Sequence, residues 1–196
     1  MHWKVIIAGF MGLLVIWGLG LIGMKASRDR QVTVDKVIAK VHETPLATLQ
    51  GQARQEYLAE LGQMVNGLDF ENRRELGLRR GLDLTFEVMN LAERQDFLNQ
   101  TLPQGFQQII ERFNQMEPDE RQAAVERAMS DLQQIEMNAT WEERQRTKDR
   151  LEDGTLKQVI NQGFEAYLKS ASAETKLDLA PLIEQIQRNM QGLGYR

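Results

Sequence analysis

Residues 5–24 read VIIAGFMGLLVIWGLGLIGM and contain no charged side chain. At about 1.5 Å of rise per residue, this stretch forms a helix about 30 Å long, which matches the hydrocarbon thickness of a bilayer. The sequence therefore predicts a transmembrane helix, and residues 1–30 form an anchor with short flanks. A cleaved signal peptide is the alternative, but the apolar run is longer than usual for one, and residues 23–27, GMKAS, contain no small-x-small cleavage site.

Small residues are concentrated on one face of this predicted helix. At about 100° per residue, one narrow arc holds Gly9, Gly12, Ile16, Gly20 and Gly23. A flat glycine face allows a second helix backbone to approach closely within the bilayer. We expect this face to pack against another copy of the chain or another membrane protein subunit, although glycine is also common in transmembrane helices generally.

Charges on either side of the apolar segment bear on its orientation. Lys4 precedes the segment, whereas Lys25, Arg28 and Arg30 follow it and are opposed by Asp29. This count slightly favours a cytoplasmic position for the remainder of the chain. A short N-terminal anchor with so few preceding residues usually has the opposite orientation, and the expectation is therefore an extracytoplasmic domain.

Beyond residue 30 the spacing of apolar residues is helical. Val34, Val37, Ile38 and Val41 recur at i, i+3, i+4 and i+7, which predicts an amphipathic helix over residues 31–43. Only residues 32–34 alternate as a strand would, and they are too few to form one. The predicted fold class is all-α, with one N-terminal transmembrane helix followed by a multi-helix domain over residues 31–196.

Sequence signals for helix starts divide this domain into several predicted helices. Asn90 with Glu93 and Thr140 with Glu143 fit the capping box, in which two side chains satisfy backbone amides at a helix start. Proline at the first position of a helix is a second signal. The helix from Asp69 is expected to continue to Asn90. The predicted starts are Pro45, Asp69, Asn90, Pro118, Thr140, Thr155 and Pro181.

A short motif recurs at intervals that suit a helical-hairpin repeat. Residues 54–58, RQEYL, return as RQDFL at residues 94–98, and Arg73 and Arg79 are matched by Arg121 and Arg127. The predicted repeat units are residues 44–88 and 90–135, followed by C-terminal helices over residues 140–193. The alternative is that Glu-Arg-Gln is a favourable first helical turn and recurs by chance.

Composition excludes several kinds of chemistry. The chain has no cysteine, which excludes disulfides, thiolate metal sites and a thiol nucleophile, and its two histidines, His2 and His42, are too few for a typical zinc site or a serine triad. Carboxylate pairs lie at predicted helix starts or turns, where the helix dipole or a cap explains them. We expect no catalytic residue, no cofactor and no metal. The net charge of −4 also argues against binding to nucleic acid.

Positive charge is densest in the pairs at residues 73–74 and 79–80. Arg73 and Arg80 are seven residues apart and are expected to share one helical face, which would contact lipid headgroups or an acidic partner. Neutralisation by neighbouring carboxylates on a solvated face is the alternative.

The sequence contains few motifs for chemistry and several surfaces suited to packing, and this contrast indicates a function in protein interaction. We expect a single-pass membrane interaction or scaffold protein, an accessory subunit of a membrane assembly, and not an enzyme. The alternative is a membrane-tethered helical chaperone or envelope sensor that binds apolar or unfolded clients in a cleft between helices. The residues considered for such a cleft are Met64, Met89, Met116, Phe86, Phe106 and Phe113.

Overall fold

The computed structural model describes residues 32–142, 145, 147 and 153–192. The described residues form eight α-helices and no strand, which confirms the all-α prediction for this part of the chain. The helices are α1 (Val34–Glu43), α2 (Gly51–Asn66), α3 (Phe70–Leu78), α4 (Asp83–Val88), α5 (Leu91–Asn114), α6 (Pro118–Asn138), α7 (Thr155–Ser170) and α8 (Ala173–Gly192).

The first amphipathic helix is confirmed, but the helix expected from Pro45 begins later. α1 ends at Glu43, with Thr44 as its C-cap, and Pro45 opens only a 3-10 turn over Leu46–Thr48. α2 begins at Gly51, whose φ of +55° lies in the left-handed region that glycine adopts without a steric penalty. The predicted continuous helix from Pro45 is wrong because Leu49 and Gln50, just before this glycine, have extended backbone conformations.

The long helix expected over residues 69–90 is interrupted. Arg80 has a φ of +54°, its amide donates to the Gly77 carbonyl at 3.0 Å, and the Gly81 amide donates to the Leu76 carbonyl at 3.0 Å. This pair of hydrogen bonds is a Schellman motif, which terminates helices. The prediction that Gly81 lies inside a helix is therefore wrong, and α4 follows as a separate short helix.

Four of the predicted helix starts are confirmed. The first is Asp69, whose side chain accepts from the Asn72 amide at 2.8 Å as the N-cap of α3. The Asn90 side chain accepts from the Glu93 amide and the Glu93 side chain accepts from the Asn90 amide, both at 3.0 Å, so the capping box is complete. α6 begins at Pro118 and α7 begins at Thr155. The second predicted capping box involves Glu143, which lies outside the described residues.

The last helix begins before Pro181. The Ser172 hydroxyl accepts from the Thr175 amide at 3.1 Å and the Ser172 carbonyl accepts from the Lys176 amide at 2.9 Å, so that α8 begins at Ala173. Pro181 lies within α8 and is exposed, where its missing backbone donor does not end the helix. The predicted start at Pro181 is wrong.

Two clusters of buried apolar side chains share α5. The first joins α1, α2, α3 and α4 to the start of α5 and contains Val34, Val37, Val41, Leu46, Tyr57, Leu58, Leu61, Val65, Leu68, Leu76, Leu82, Phe86, Met89 and Phe97. The second joins the end of α5 to α6, α7 and α8 and contains Ile110, Phe113, Ala124, Val125, Ala128, Ala171, Leu179 and Leu182. The most extensive helix contact in the described part is between α5 and α7.

Glutamine side chains join α5 to α2 and the turn after it. Three glutamines at intervals of four residues donate from Nε2 to backbone carbonyls. The pairs are Gln100 to Ala59 at 3.1 Å, Gln104 to Asn66 at 2.7 Å and Gln108 to Leu68 at 2.9 Å. Pro103 lies inside this stretch of α5 and removes one backbone donor from the helix. Side-chain contacts thus reinforce α5 where its own backbone bonding is incomplete.

Candidate functional site

The predicted helix-packing face lies outside the described residues. Gly9, Gly12, Ile16, Gly20 and Gly23 all belong to residues 1–31, so their prediction remains untested. Among the helices that the structure describes, none has the length and apolar content needed to cross a membrane.

Arg73 points into the contact between α3 and α5. Its Nε donates to Gln108 Oε1 at 3.1 Å, its Nη1 to the Thr101 carbonyl at 3.2 Å and its Nη2 to Asn66 Oδ1 at 3.3 Å. Gly105 lies against this side chain, and a Cβ at that position would be 3.4 Å from Nη1, at ordinary contact distance. Arg73 is therefore engaged with neighbouring helices rather than extended into solvent.

Burial lowers the pKa of Arg73 to about 10 because desolvation penalises the charged guanidinium. The side chain still carries its positive charge at pH 7. In the described part of the chain, none of the three groups that accept hydrogen bonds from Arg73 is a carboxylate. Arg73 is thus a partly desolvated cation held by neutral acceptors.

Arg73 and Arg80 do not share a helical face. α3 ends at Leu78, so the seven-residue spacing no longer measures two turns of one helix. Arg73 faces α5, whereas Arg80 is exposed in the turn that follows α3. Of the two predicted contact residues, only Arg80 presents an exposed side chain.

The conformation of Arg80 is unfavourable for an arginine. A left-handed backbone costs about 1 kcal/mol or more for a residue with a Cβ, and glycine is the usual residue at this position of a Schellman motif. Arg80 forms an ion pair with Asp83. The Arg80 side chain is 42% exposed and that of Asp83 23%, so water still screens the pair, which contributes about 1 kcal/mol or less. The fold alone therefore gains little or nothing from having arginine rather than glycine at this position.

Residues 78–84, named here the α3–α4 turn, expose two leucines beside this arginine. Leu78 and Leu84 are 52% and 56% exposed. The turn packs beside the first half of α1: Arg79 Nη1 lies 2.7 Å from Asp35 Oδ1, and a Cβ on Gly81 would lie 2.8 Å from Ile38 Cγ1. The exposed leucines are thus held close to the point where the chain enters the described domain.

The exposed apolar surface continues along α4. Leu84 and Val88 are four residues apart on this helix and therefore lie on one face, and Leu91 follows at the start of α5. All three are exposed. Val88 and Leu91 are named here the α4 surface, next to Leu84 of the α3–α4 turn, and grouped apolar side chains of this kind mark interaction sites more often than single exposed ones do.

Arg54 and Glu93 form a partly buried ion pair between α2 and α5. Arg54 Nε and Nη2 donate to the two Glu93 carboxylate oxygens at 2.5 and 2.8 Å. Arg54 Nη1 also donates to the Leu46 carbonyl at 2.7 Å, and Nη2 to the Val88 carbonyl at 2.8 Å. One guanidinium thus joins the turn before α2, the end of α4 and the start of α5.

These hydrogen bonds stabilise both charges. The bond from Arg54 is the main reason that the pKa of Glu93 lies below its usual value, and the Asn90 amide adds to the effect. The bond to Glu93 raises the pKa of Arg54. The pair is a structural clamp, and its atoms are occupied by one another and by the backbone.

Sequence reasoning identified both residues without pairing them. Glu93 appeared as a capping residue and Arg54 as part of a repeated motif. In the structure, Arg54, Arg94 and Arg121 each occupy the fourth position of a helix and donate to a carbonyl of the preceding connection. The arginine of the motif therefore fixes the start of a helix. Its recurrence in the sequence is the signal that could have identified this role.

Residues considered for chemistry or ligand binding have ordinary structural positions. His42 is exposed near the end of α1, and no group of three potential metal ligands occurs among the described residues. Met89, Phe86 and Phe113 are buried in the two clusters, and Met64 and Met116 pack against them. These side chains belong to the core rather than to an open cleft.

No protein-family model, curated protein or solved structure matches this chain.

Proposed function

We propose that this chain is a single-pass membrane-anchored interaction protein, an accessory subunit of a membrane protein assembly. The apolar segment at residues 5–24 supplies the anchor. The observation that carries the proposal is the α4 surface, where Val88 and Leu91 remain exposed although Phe86 and Met89 of the same segment are buried in the first cluster. An anchored domain with an uncovered apolar surface is suited to bind a neighbour in or beside the membrane.

The anchor contributes a second surface in this proposal. Its glycine face, formed by Gly9, Gly12, Ile16, Gly20 and Gly23, packs against a transmembrane helix of the partner subunit or of a second copy. The helical domain lies on the extracytoplasmic side. No chemical step is assigned to the domain, because its charged pairs support its own packing.

Co-purification of the full chain from membranes in mild detergent tests the proposal. We expect the chain to stay in the membrane during a carbonate wash and to co-purify with one membrane protein in a fixed ratio. Many clients in variable amounts would instead indicate the chaperone alternative. Release of the chain by carbonate would overturn the anchor itself.

The α4 surface has its own control in the same experiment. Replacing Val88 with Glu places a charge on the exposed row, and replacing Leu177 with Glu places the same charge on α8, where Leu177 is exposed. We expect only the Val88→Glu variant to lose its partner. Equal retention by both variants would show that the α4 surface does not bind the partner.

A further inference from the structure

We propose that the α3–α4 turn rests on the bilayer surface, with Leu78 and Leu84 in the interfacial layer and Arg80 on an anionic headgroup. The inference rests on the membrane anchor of the proposed function. It concerns a second contact with lipid, made by the helical domain itself, and it is carried by position, exposed chemistry and backbone conformation.

The position of the turn follows from the chain connection. Residues 25–33 join the apolar segment to α1, and nine residues span at most about 30 Å even when fully extended. The start of α1 is therefore tethered near the membrane. Because Arg79 is paired with Asp35 in the first turn of α1, the α3–α4 turn is held at the same end of the domain.

The exposed chemistry of the turn fits a lipid surface. Leu78 and Leu84 expose more than half of their surface, and Arg80 lies between them in the sequence. Apolar side chains next to a basic one are typical of segments that lie in the headgroup layer, where the hydrocarbon enters the interface and the cation binds anionic lipid.

The backbone of Arg80 provides an independent argument. Glycine is the more favourable residue in the left-handed conformation at the end of α3, and the partly exposed ion pair with Asp83 offsets the cost of arginine at most in part. Strained residues of this kind are found where a side chain is used for a purpose outside the fold. A headgroup contact gives the arginine such a purpose.

A single fluorescent label measures this contact in the full chain. The protein has no cysteine, so Leu84→Cys and Leu177→Cys each create one labelling site, and both positions are exposed. The labelled chains are placed in vesicles of phosphatidylcholine with phosphatidylglycerol that carry a nitroxide quencher at the headgroup. We expect the label at position 84 to be quenched about twofold or more, and the label at position 177 on α8 to be unaffected.

The arginine is tested by Arg80→Gly in the Leu84→Cys background. We expect this change to leave the unfolding midpoint unchanged or higher, and to reduce quenching at position 84 by about half in vesicles that contain phosphatidylglycerol. In vesicles of phosphatidylcholine alone the variant and its parent should be quenched equally. Equal quenching of the two in both kinds of vesicle would overturn the assignment of Arg80 to a headgroup.

The carbonate wash and the quenching measurement together distinguish loss of the surface contact from loss of the membrane anchor. If the chain resists a carbonate wash but position 84 is quenched no more than position 177, the anchor stands and the surface contact is overturned. A turn that binds another protein instead of lipid would give this result, since these vesicles contain no other protein. If carbonate removes the chain, the anchor and the surface contact are overturned together.

Discussion

Arg54 illustrates how one side chain can connect three separate segments. It donates to the carboxylate of Glu93 and to the carbonyls of Leu46 and Val88, and it is largely shielded from water. Hydrogen bonds to charged groups contribute more than neutral ones, and partners left without a donor are costly when they are shielded. The fold therefore depends on this guanidinium more than on the exposed ion pairs.

Replacing Arg54 with Ala should lower the free energy of unfolding by about 2–3 kcal/mol, since a carboxylate and two carbonyls lose their donor. Lys169→Ala is the matched control, because Lys169 pairs with Glu165 on the surface of α7 and should change stability by less than about 0.5 kcal/mol. Urea unfolding of the full chain in detergent, followed by circular dichroism, measures both. Similar losses for the two variants would contradict the role given to Arg54.

The same pair predicts a dependence on pH. The pKa of Glu93 is lowered in the folded state, so its contribution to stability is present above the usual value of 4.5 and disappears as the pH falls through the folded value. A Glu93→Gln variant lacks this contribution. We expect the stability difference between the original chain and the variant to be constant near pH 7 and to shrink below pH 4.5. A difference that grows in acid would contradict this sign.

Substitution of Arg80 is expected to change stability in the opposite direction from substitution of Arg54. Substitution of Arg80 with Gly should raise the free energy of unfolding by about 0.5–1 kcal/mol, because glycine adopts the left-handed conformation without a steric penalty. Arg80→Ala retains a Cβ and loses the pair with Asp83, so it should not stabilise the chain. If alanine stabilised as much as glycine, the backbone conformation would not be the reason.

Whole helices were predicted more reliably than their boundaries. The capping box at Asn90 and the proline at the start of α6 act locally, so the sequence revealed them. The break after α3 depends on an arginine in a conformation that its residue type does not favour. Pro181 failed as a start signal because Ser172 begins the helix earlier and the proline lies on its exposed side. In both cases tertiary context overrides local preference.

The candidate site was less predictable than the fold. The sequence placed Arg73 and Arg80 on one face because the spacing of seven presumes an unbroken helix. It did not show that Gly105 on α5 lies against Arg73, since this contact joins residues that are far apart in the chain. Exposed leucines such as Leu84 also look like core residues until the neighbouring helices are placed.

Gly105 lies against Arg73 where α3 contacts α5, so the size of the residue at position 105 is constrained. Gly105→Ala should be tolerated or slightly stabilising, because its Cβ would lie at ordinary contact distance from Arg73 Nη1 and alanine favours helices. Gly105→Leu should lower stability by about 1–3 kcal/mol by displacing the guanidinium. Thermal unfolding of the two variants separates these effects, and a Leu variant as stable as the Ala variant would contradict the close approach.

At the scale of the whole molecule, the anchor and the helical domain are expected to bind through different surfaces. Gly12→Ile or Gly20→Ile should keep the helix inserted but separate it from a partner helix, weakening association by about 1 kcal/mol or more. Gly18 lies on the opposite face of the predicted helix, and Gly18→Ile is the control. In-membrane cross-linking at equal expression measures all three, and equal behaviour of the three would show that the glycine face makes no specific contact.

The proline within α5 also determines how the molecule can deform. Pro103 lies between Phe97 of the first cluster and Ile110 of the second, so α5 lacks a backbone hydrogen bond at the boundary between the two. Bending of this long helix is easiest there. Asn66 and Arg73 bind the carbonyls of Gln100 and Thr101 at the same place and restrain that bending. α5 thus has one position of easier bending, which these side-chain hydrogen bonds restrain. A displacement of the first cluster would be transmitted to the second through this position.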